Sequence, residues 1–231
     1  MDVGLFIAAS GMVAEQTRQD QLANDLANAT TPGYKPDSSP QHSFGDVLLA
    51  NRLGGPAVGS TAEGVALGKT FTDLTPGSIQ ETGEPLDFAI EGSGFFAVRT
   101  AQGTRYTRNG QFTASAAGIL TDANGNPVLS QTGGEIKVPA MGTLSASALG
   151  LFELNGPEKQ GQNLFTGSVA GKATGTVRQG ALEASGVDAA TVMVEMIGSL
   201  RSFQSGQQAI QAIGQTLQQA STQVGSLGSG G

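Results

Sequence analysis

Chemistry near neutral pH needs groups that titrate or coordinate there, and this chain of 231 residues carries few: no Cys, no Trp and one His, His42. General acid–base work leans on His, and soft-metal sites lean on Cys and His, so zinc, iron–sulfur and Cys-nucleophile mechanisms find almost no groups to use. Carboxylate, Ser or Lys chemistry remains. Glu81, Glu84, Asp87 and Glu91 form an acidic cluster of the residue type that glycosidases use in pairs, but nothing in their spacing forces two of them to converge; they read as solvated strand-edge carboxylates. Glu91-Gly92-Ser93-Gly94-Phe95-Phe96 contains a G-x-G fragment with no third Gly and no helix pattern after it. That excludes a dinucleotide turn and predicts a glycine bend bringing Phe95 and Phe96 into a β core. Asp122-Ala123-Asn124-Gly125-Asn126 has the polar spacing of a calcium loop, yet its Gly comes one position early, Pro127 follows and no Glu closes the loop. A hairpin turn is the expectation. Arg99, Arg105 and Arg108 alternate along a Tyr106 hairpin and Arg201 lies beside Phe203; their uses are ion pairs with neighbouring molecules or plain solvated faces.

Positioning such residues requires elements, and the hydrophobic period changes along the chain. From about Val3 to Asn28 apolar residues recur at helical steps (Leu5, Ala9, Met12, Leu22, Leu26), interrupted by Gln16 and Gln19 and stopped by Thr31-Pro32-Gly33. From Pro36 to about Gly68 a Ser-, Gly- and Pro-rich stretch predicts an extended connector with a short helix at Phe44 to Asn51. From Lys69 to about Gln179 short apolar runs alternate with turn chemistry. GFFAVRT and TRYTRNGQFTA read as strands, with bends at Gln102-Gly103 and Asn109-Gly110, and Asn124-Gly125 precedes NPVLS. Further strands are expected near Ile136 to Val138, Leu151 to Leu154 and Ala173 to Arg178.

From Ser185 the helical period returns through Met193, Ile197, Leu200, Phe203, Ile210, Ile213, Leu217, Ala220, Val224 and Leu227. A helix from about Asp188 to Gln223 would be roughly 50 Å long, too long to be internal to a small domain. Gly198, Gly206 and Gly214, spaced by eight, allow close approach of neighbouring backbones at a helix-propensity cost of about 1 kcal/mol each. The fold class is therefore α+β: N- and C-terminal helices forming a coiled-coil-like helical layer, with a central antiparallel β domain. The predicted partition is residues 1–31 for the N-terminal helix, 32–68 for the connector, 69–179 for the β domain and 180–231 for the C-terminal helix and tail. Two amphipathic helices that cannot bury their stripes on one small domain predict an oligomer or polymer.

Nineteen acidic against twelve basic residues give a net charge of −7, the wrong sign for wrapping nucleic acid or clinging to anionic lipid. The N-terminus, MDVGLFIAASGMVAEQ, has Asp2 and Glu15 where a secretory leader wants positive charge, so neither a cleaved signal peptide nor a membrane span is expected. The absence of Cys is neutral as to redox compartment.

Three blocks carry a resemblance. AASGMVAEQTRQDQLANDLANATTPGYK (Ala8 to Lys35) closely resembles the N-terminal signature of the flagellar axial proteins. LTPGSIQETGEPLDFAIEGSGFFAV (Leu74 to Val98) with RYTRNGQF (Arg105 to Phe112) resembles the core of their rod subgroup, and QGALEASGVDAATVMVEMIGSLRSFQ (Gln179 to Gln204) their C-terminal signature. The family typically has paired Asn where this chain has Asn24-Asp25, and Ser-Asn-Val where it has Ser185-Gly186-Val187; Gly, like Asn, suits a positive φ at a helix approach. The resemblance implies a structural, non-enzymatic rod subunit without cofactor or metal. Its terminal helices would form the inner layer around a channel, and its partners would be further copies, other rod proteins, hook proteins and the flagellar export apparatus. It would lie in the extracytoplasmic basal body, without membrane insertion or nucleic-acid binding. The helical contacts would be made by Leu5, Met12, Leu22, Leu26, Met193, Ile197, Leu200, Phe203, Ile210 and Leu217, and Asn24 and Asn28 would cap the first helix or bridge subunits. A hook-type axial protein and a secreted β-rich adhesin are the alternatives; the short middle region favours the rod.

Overall fold

In the computed structural model, residues 3–43, 64–139, 142, 144–161 and 163–227 are described. The elements in chain order are α1 (Val3–Ala27), β1 (Asp37–Ser38), β2 (Gln41–Ser43), β3 (Val65–Leu67), β4 (Phe71–Thr72), β5 (Ile79–Glu81), β6 (Phe88–Glu91), β7 (Phe95–Thr100), β8 (Gly103–Thr107), β9 (Thr113–Ala114), β10 (Leu120–Thr121), β11 (Val128–Leu129), β12 (Leu151–Gln160), β13 (Leu164–Lys172), β14 (Thr176–Gln179), β15 (Ala181–Glu183) and α2 (Ala189–Leu227). Helix, antiparallel β region, helix is the predicted α+β order. The short helix expected at Phe44 to Asn51 lies outside the described residues.

The chain divides into two compact units: Met1–Asn24 with Asp37–Phe71 and Ala190–Gly231, and Asp25–Pro36 with Thr72–Ala189. In the first, α1 and α2 touch in antiparallel sense. Met12 lies against Gly206, where a Cβ would come 2.7 Å from Met12 Cγ. Ser199 Oγ donates to Glu15 Oε2 at 2.6 Å and approaches Glu15 O at 3.2 Å, and Arg18 Nη2 meets Glu195 Oε2 at 3.4 Å. Of the three glycines spaced by eight on α2, Gly206 alone serves this approach; an added Cβ at Gly198 or Gly214 would meet open space. β2 pairs with β3 antiparallel, Ser43 opposite Val65, and the Val65 amide donates to Ser10 Oγ on α1 at 3.2 Å.

The second unit is the β region. β7 is its central strand: one edge takes β8, the other β11 and then β12, while β13 joins β12 to β8, so β7, β12, β13 and β8 close on one another. The continuous apolar run Phe95-Phe96-Ala97-Val98 suits a strand buried on both faces. Alternation sends Phe96 and Val98 into a cluster with Phe88, Ile90, Phe112, Leu120, Val128 and Leu151, and Phe95 and Ala97 into a second with Tyr106, Leu129, Leu154 and Phe165. Gly94, at φ +126, enters this strand where a Cβ would lie 2.6 Å from Ala173 Cβ, so the predicted glycine bend is real and sterically required.

Asp122 builds the turn between β10 and β11. Its Oδ1 accepts from the amides of Asn124 (2.9 Å) and Asn126 (2.8 Å), and its Oδ2 from Asn126 Nδ2 (2.9 Å). The carboxylate is thus spent on the turn's own donors, as an Asx-type hairpin requires. Asp122→Ala is expected to lower unfolding free energy by about 1–2 kcal/mol, read from the urea midpoint.

Candidate functional site

The acidic cluster that spacing offered for catalysis is occupied in structural pairings. Glu81 and Glu91 both meet Arg178, the latter at 3.5 Å, Asp87 accepts from Thr82 Oγ1 at 2.7 Å, and Glu84 is exposed. Among the described residues no group of three or more His, Cys, Asp and Glu could hold a metal ion.

The unusual chemistry lies in the second unit, where the segment after α1 and the segment before α2 meet the β region. Lys35 and Glu183 have fully buried side chains and form an ion pair of 2.6 Å between Nζ and Oε1. Arg108, almost as deeply buried, brings Nη1 to 3.3 Å from Glu183 Oε2. Buried charge is costly unless it is paired and hydrogen-bonded. Lys35 Nζ also donates to Thr75 O at 2.6 Å, Glu183 Oε1 accepts from the Gly77 amide at 2.7 Å, and Arg108 Nη2 donates to Gly92 O at 2.9 Å. Arg108 further lies 5.2 Å from the centre of the Phe95 ring, a cation–π distance, while its Nε has no hydrogen-bond partner. One carboxylate thus faces two cations. Arg108 is neither the solvated nor the intermolecular side chain that its place on an alternating hairpin suggested; Arg99, which binds Glu135, is exposed, and Arg105, which binds Gln160, is half-buried.

The backbone around the triad is equally constrained. Gly33, at φ +66, donates its amide to Glu183 O at 2.8 Å, and a Cβ there would overlap the Arg108 carbonyl. Tyr34, fully buried, donates its hydroxyl to Asp25 Oδ1 at 2.8 Å. Lys159, from the far end of β12, places Nζ 4.0 Å from the centre of the Tyr34 ring and donates to Lys35 O at 2.7 Å. The two flanking segments also bind each other: Ser185 Oγ donates to Asn28 O (3.0 Å) and the Gly186 amide to Tyr34 O (2.9 Å). Gly186 is not at positive φ, contrary to the reason the sequence suggested for it. Its advantage is space, since a Cβ would stand 3.0 Å from Pro36 Cδ and 3.4 Å from Tyr34 O. Asp25 in place of Asn is likewise used, as the acceptor for Tyr34.

Residues 5–35 match the family described as "Flagella basal body rod protein", 89–151 the "Flagellar hook protein FlgE/F/G D1 domain" and 178–223 the "Flagellar basal body rod FlgEFG protein C-terminal". The chain is 32% identical to the flagellar basal-body rod protein FlgG of Bacillus subtilis, over 93% of this chain and 96% of that one. The family is thereby decided. This chain is a flagellar rod protein family member. FlgF of Escherichia coli is 31% identical over 92% of this chain and 94% of its own, and FlgF of Caulobacter vibrioides 30% over 89% and 91%. The family is structural, not enzymatic. Each of the three matched blocks supplies one charge of the buried triad: Lys35 ends the first, Arg108 lies in the second and Glu183 in the third.

The residues expected at helical contacts fall into three groups in this rod-family chain. Leu22 and Asn28 are buried, Asn28 with its carbonyl on Ser185; Met12, Leu26, Phe203 and Ile210 are half-buried; Leu5, Asn24, Met193, Ile197, Leu200 and Leu217 are exposed. The triad was missed by spacing arguments because its members stand far apart in sequence. No local signal marked it either: Glu183 ends the three-residue strand Ala181-Leu182-Glu183, which the fold buries throughout, but a single Glu in a sequence gives no sign of burial. No helix among the described residues is long and apolar enough to cross a membrane.

Proposed function

We propose that this chain is a subunit of the flagellar rod that polymerises through its terminal helices into the shaft carrying torque from motor to hook. The observation that carries this reading is the apolar face left open on α2: Met193, Val194, Ile197, Leu200 and Leu217 are all exposed, as are Leu5, Phe6 and Val13 on α1. Apolar surface at helical spacing on both terminal elements favours burial against further helices. Copies of the same chain are the natural occupants, giving a helical layer of coiled-coil type, with other rod proteins and hook proteins continuing the shaft at its ends. A relative named flagellar hook-basal body complex protein FlhO, from Bacillus subtilis, is 29% identical over 97% of this chain, which supports a place in that complex. Delivery through the flagellar export apparatus, as an extracytoplasmic component of the basal body, belongs to the same proposal.

Within this reading the contact residues are the twelve expected from the sequence, with Leu5, Met193, Ile197, Leu200 and Leu217 as the intermolecular set and Leu22 and Asn28 acting inside the chain. Removing residues 192–231 tests it. That deletion spares the whole of the second unit, so a folded, soluble protein that no longer forms rods is the expected result. Rods of normal length from the truncated chain would refute polymerisation through α2.

A further inference from the structure

Glu183 stands where segments distant in sequence converge. Its carbonyl accepts from Gly33, its Oε1 from Lys35 and Gly77, and its Oε2 from Arg108. Beside it the root of α1, residues 25–36, and the root of α2, residues 181–188, are bonded directly through Ser185–Asn28 and Gly186–Tyr34. Withdrawal of either root strands buried partners on the other. Without residues 33–35, Glu183 loses a cation and its carbonyl's donor, and the Gly186 amide loses its acceptor. Without Glu183, Lys35 and Arg108 become two buried cations that have lost the carboxylate they share. Unpaired buried groups of this kind make partial states costly, so the roots have two arrangements, both seated or both released. The β core depends on this less: neither of its two apolar clusters includes a residue from 25–36 or 183–188, although Arg108 lies over the Phe95 ring of the second.

We propose that the Lys35–Glu183–Arg108 cluster couples the roots of the two terminal helices within one molecule, so that loosening either root loosens the other while the β core stays closed. This is a property of the single chain and stands apart from how copies assemble. Coupling between two sites is reciprocal by thermodynamic necessity, and locally cooperative units open with free energies below that of global unfolding.

Amide hydrogen exchange on the full-length protein reads the coupling from both ends. Ser185→Ala is the mild perturbation, deleting the two hydrogen bonds of one hydroxyl at the α2 root, to Asn28 O and from the Val187 amide; Lys35→Met deletes the cation at the α1 root. Ser185→Ala is expected to speed exchange about tenfold at residues 33–35, which Ser185 does not touch, as well as at 183–187. Lys35→Met is expected to do the same at 185–187, and strand 95–100 is expected to remain far slower to exchange than either root in both variants. An increase confined to the altered root, exchange across 95–100 as fast as at the roots, or no increase in either variant would each overturn the proposal. If Lys35→Met does not fold, the Ser185→Ala comparison decides alone.

Discussion

Glu183→Gln is expected to lower unfolding free energy by about 3–5 kcal/mol, a large fraction of what a domain of this size has. The substitution keeps shape and removes charge. Gln Oε1 can still accept from Lys35 Nζ and the Gly77 amide, but its NH2 group then faces Arg108 Nη1, donor against donor. Two cations remain buried without the carboxylate that balanced them. Lys35→Met tests the charge argument from the other side: it leaves Glu183 with Arg108 as a neutral pair and is expected to cost less, about 2–3 kcal/mol. The order is the informative part, since a purely packing role would make the larger volume change at Lys35 the costlier one. With no Trp in the chain, the two tyrosines report unfolding by fluorescence: Tyr34 sits at the triad and Tyr106 in the second core cluster. A urea midpoint unmoved by Glu183→Gln would show that the cluster is not held by charge balance.

Hydrophobic period made some of this structure legible and polar periphery hid the rest. The α2 stripe, with three-four steps from Met193 onward, placed a helix at about Asp188 to Gln223; it runs Ala189–Leu227. β7 could be read from Phe95-Phe96-Ala97-Val98 because a run buried on both faces needs no alternation to reveal it. The β12–β13 hairpin was harder. Leu151 to Leu154 pointed to a strand, but it continues to Gln160 through Glu153, Glu158 and Lys159, and its partner Leu164–Lys172 was not anticipated. Asn155-Gly156-Pro157 has the composition of a turn, yet it sits inside β12 at a register shift between Asn155 and Glu158, with Gly156 at φ +56. Proline is admitted to strands at such bulges, so turn chemistry there misreports the end of the strand. The triad was invisible for a different reason. Lys35, Arg108 and Glu183 are separated by most of the chain, and an isolated charge in a sequence reads as solvent-exposed because most are. Only the fold brings the three together.

Ile197→Glu combined with Leu200→Glu is expected to abolish rod assembly while leaving the isolated chain folded. Both side chains are about half exposed in the single molecule, Ile197 at 54% and Leu200 at 46%, so replacing them removes little burial that the monomer already has. Glu is also a good helix former, which keeps α2 intact. In an assembly that covers this face the balance differs. Each lost aliphatic side chain forgoes about 1.5–3 kcal/mol of burial, before the penalty for desolvating two carboxylates. Together these terms exceed about 4 kcal/mol per contact, a loss of roughly a thousandfold in association. The two positions are three apart and share one side of the helix, so they strike the same contact rather than two independent ones. Circular dichroism and urea unfolding of the variant are expected to resemble wild type, and electron microscopy to show no rods. Val13→Glu on α1, whose side chain is 61% exposed, supplies an independent perturbation of the same kind on the other helix. Normal rods from the α2 double variant would mean that the exposed stripe faces solvent in the assembled state, and the reading of α2 as the polymerising surface would fall with it.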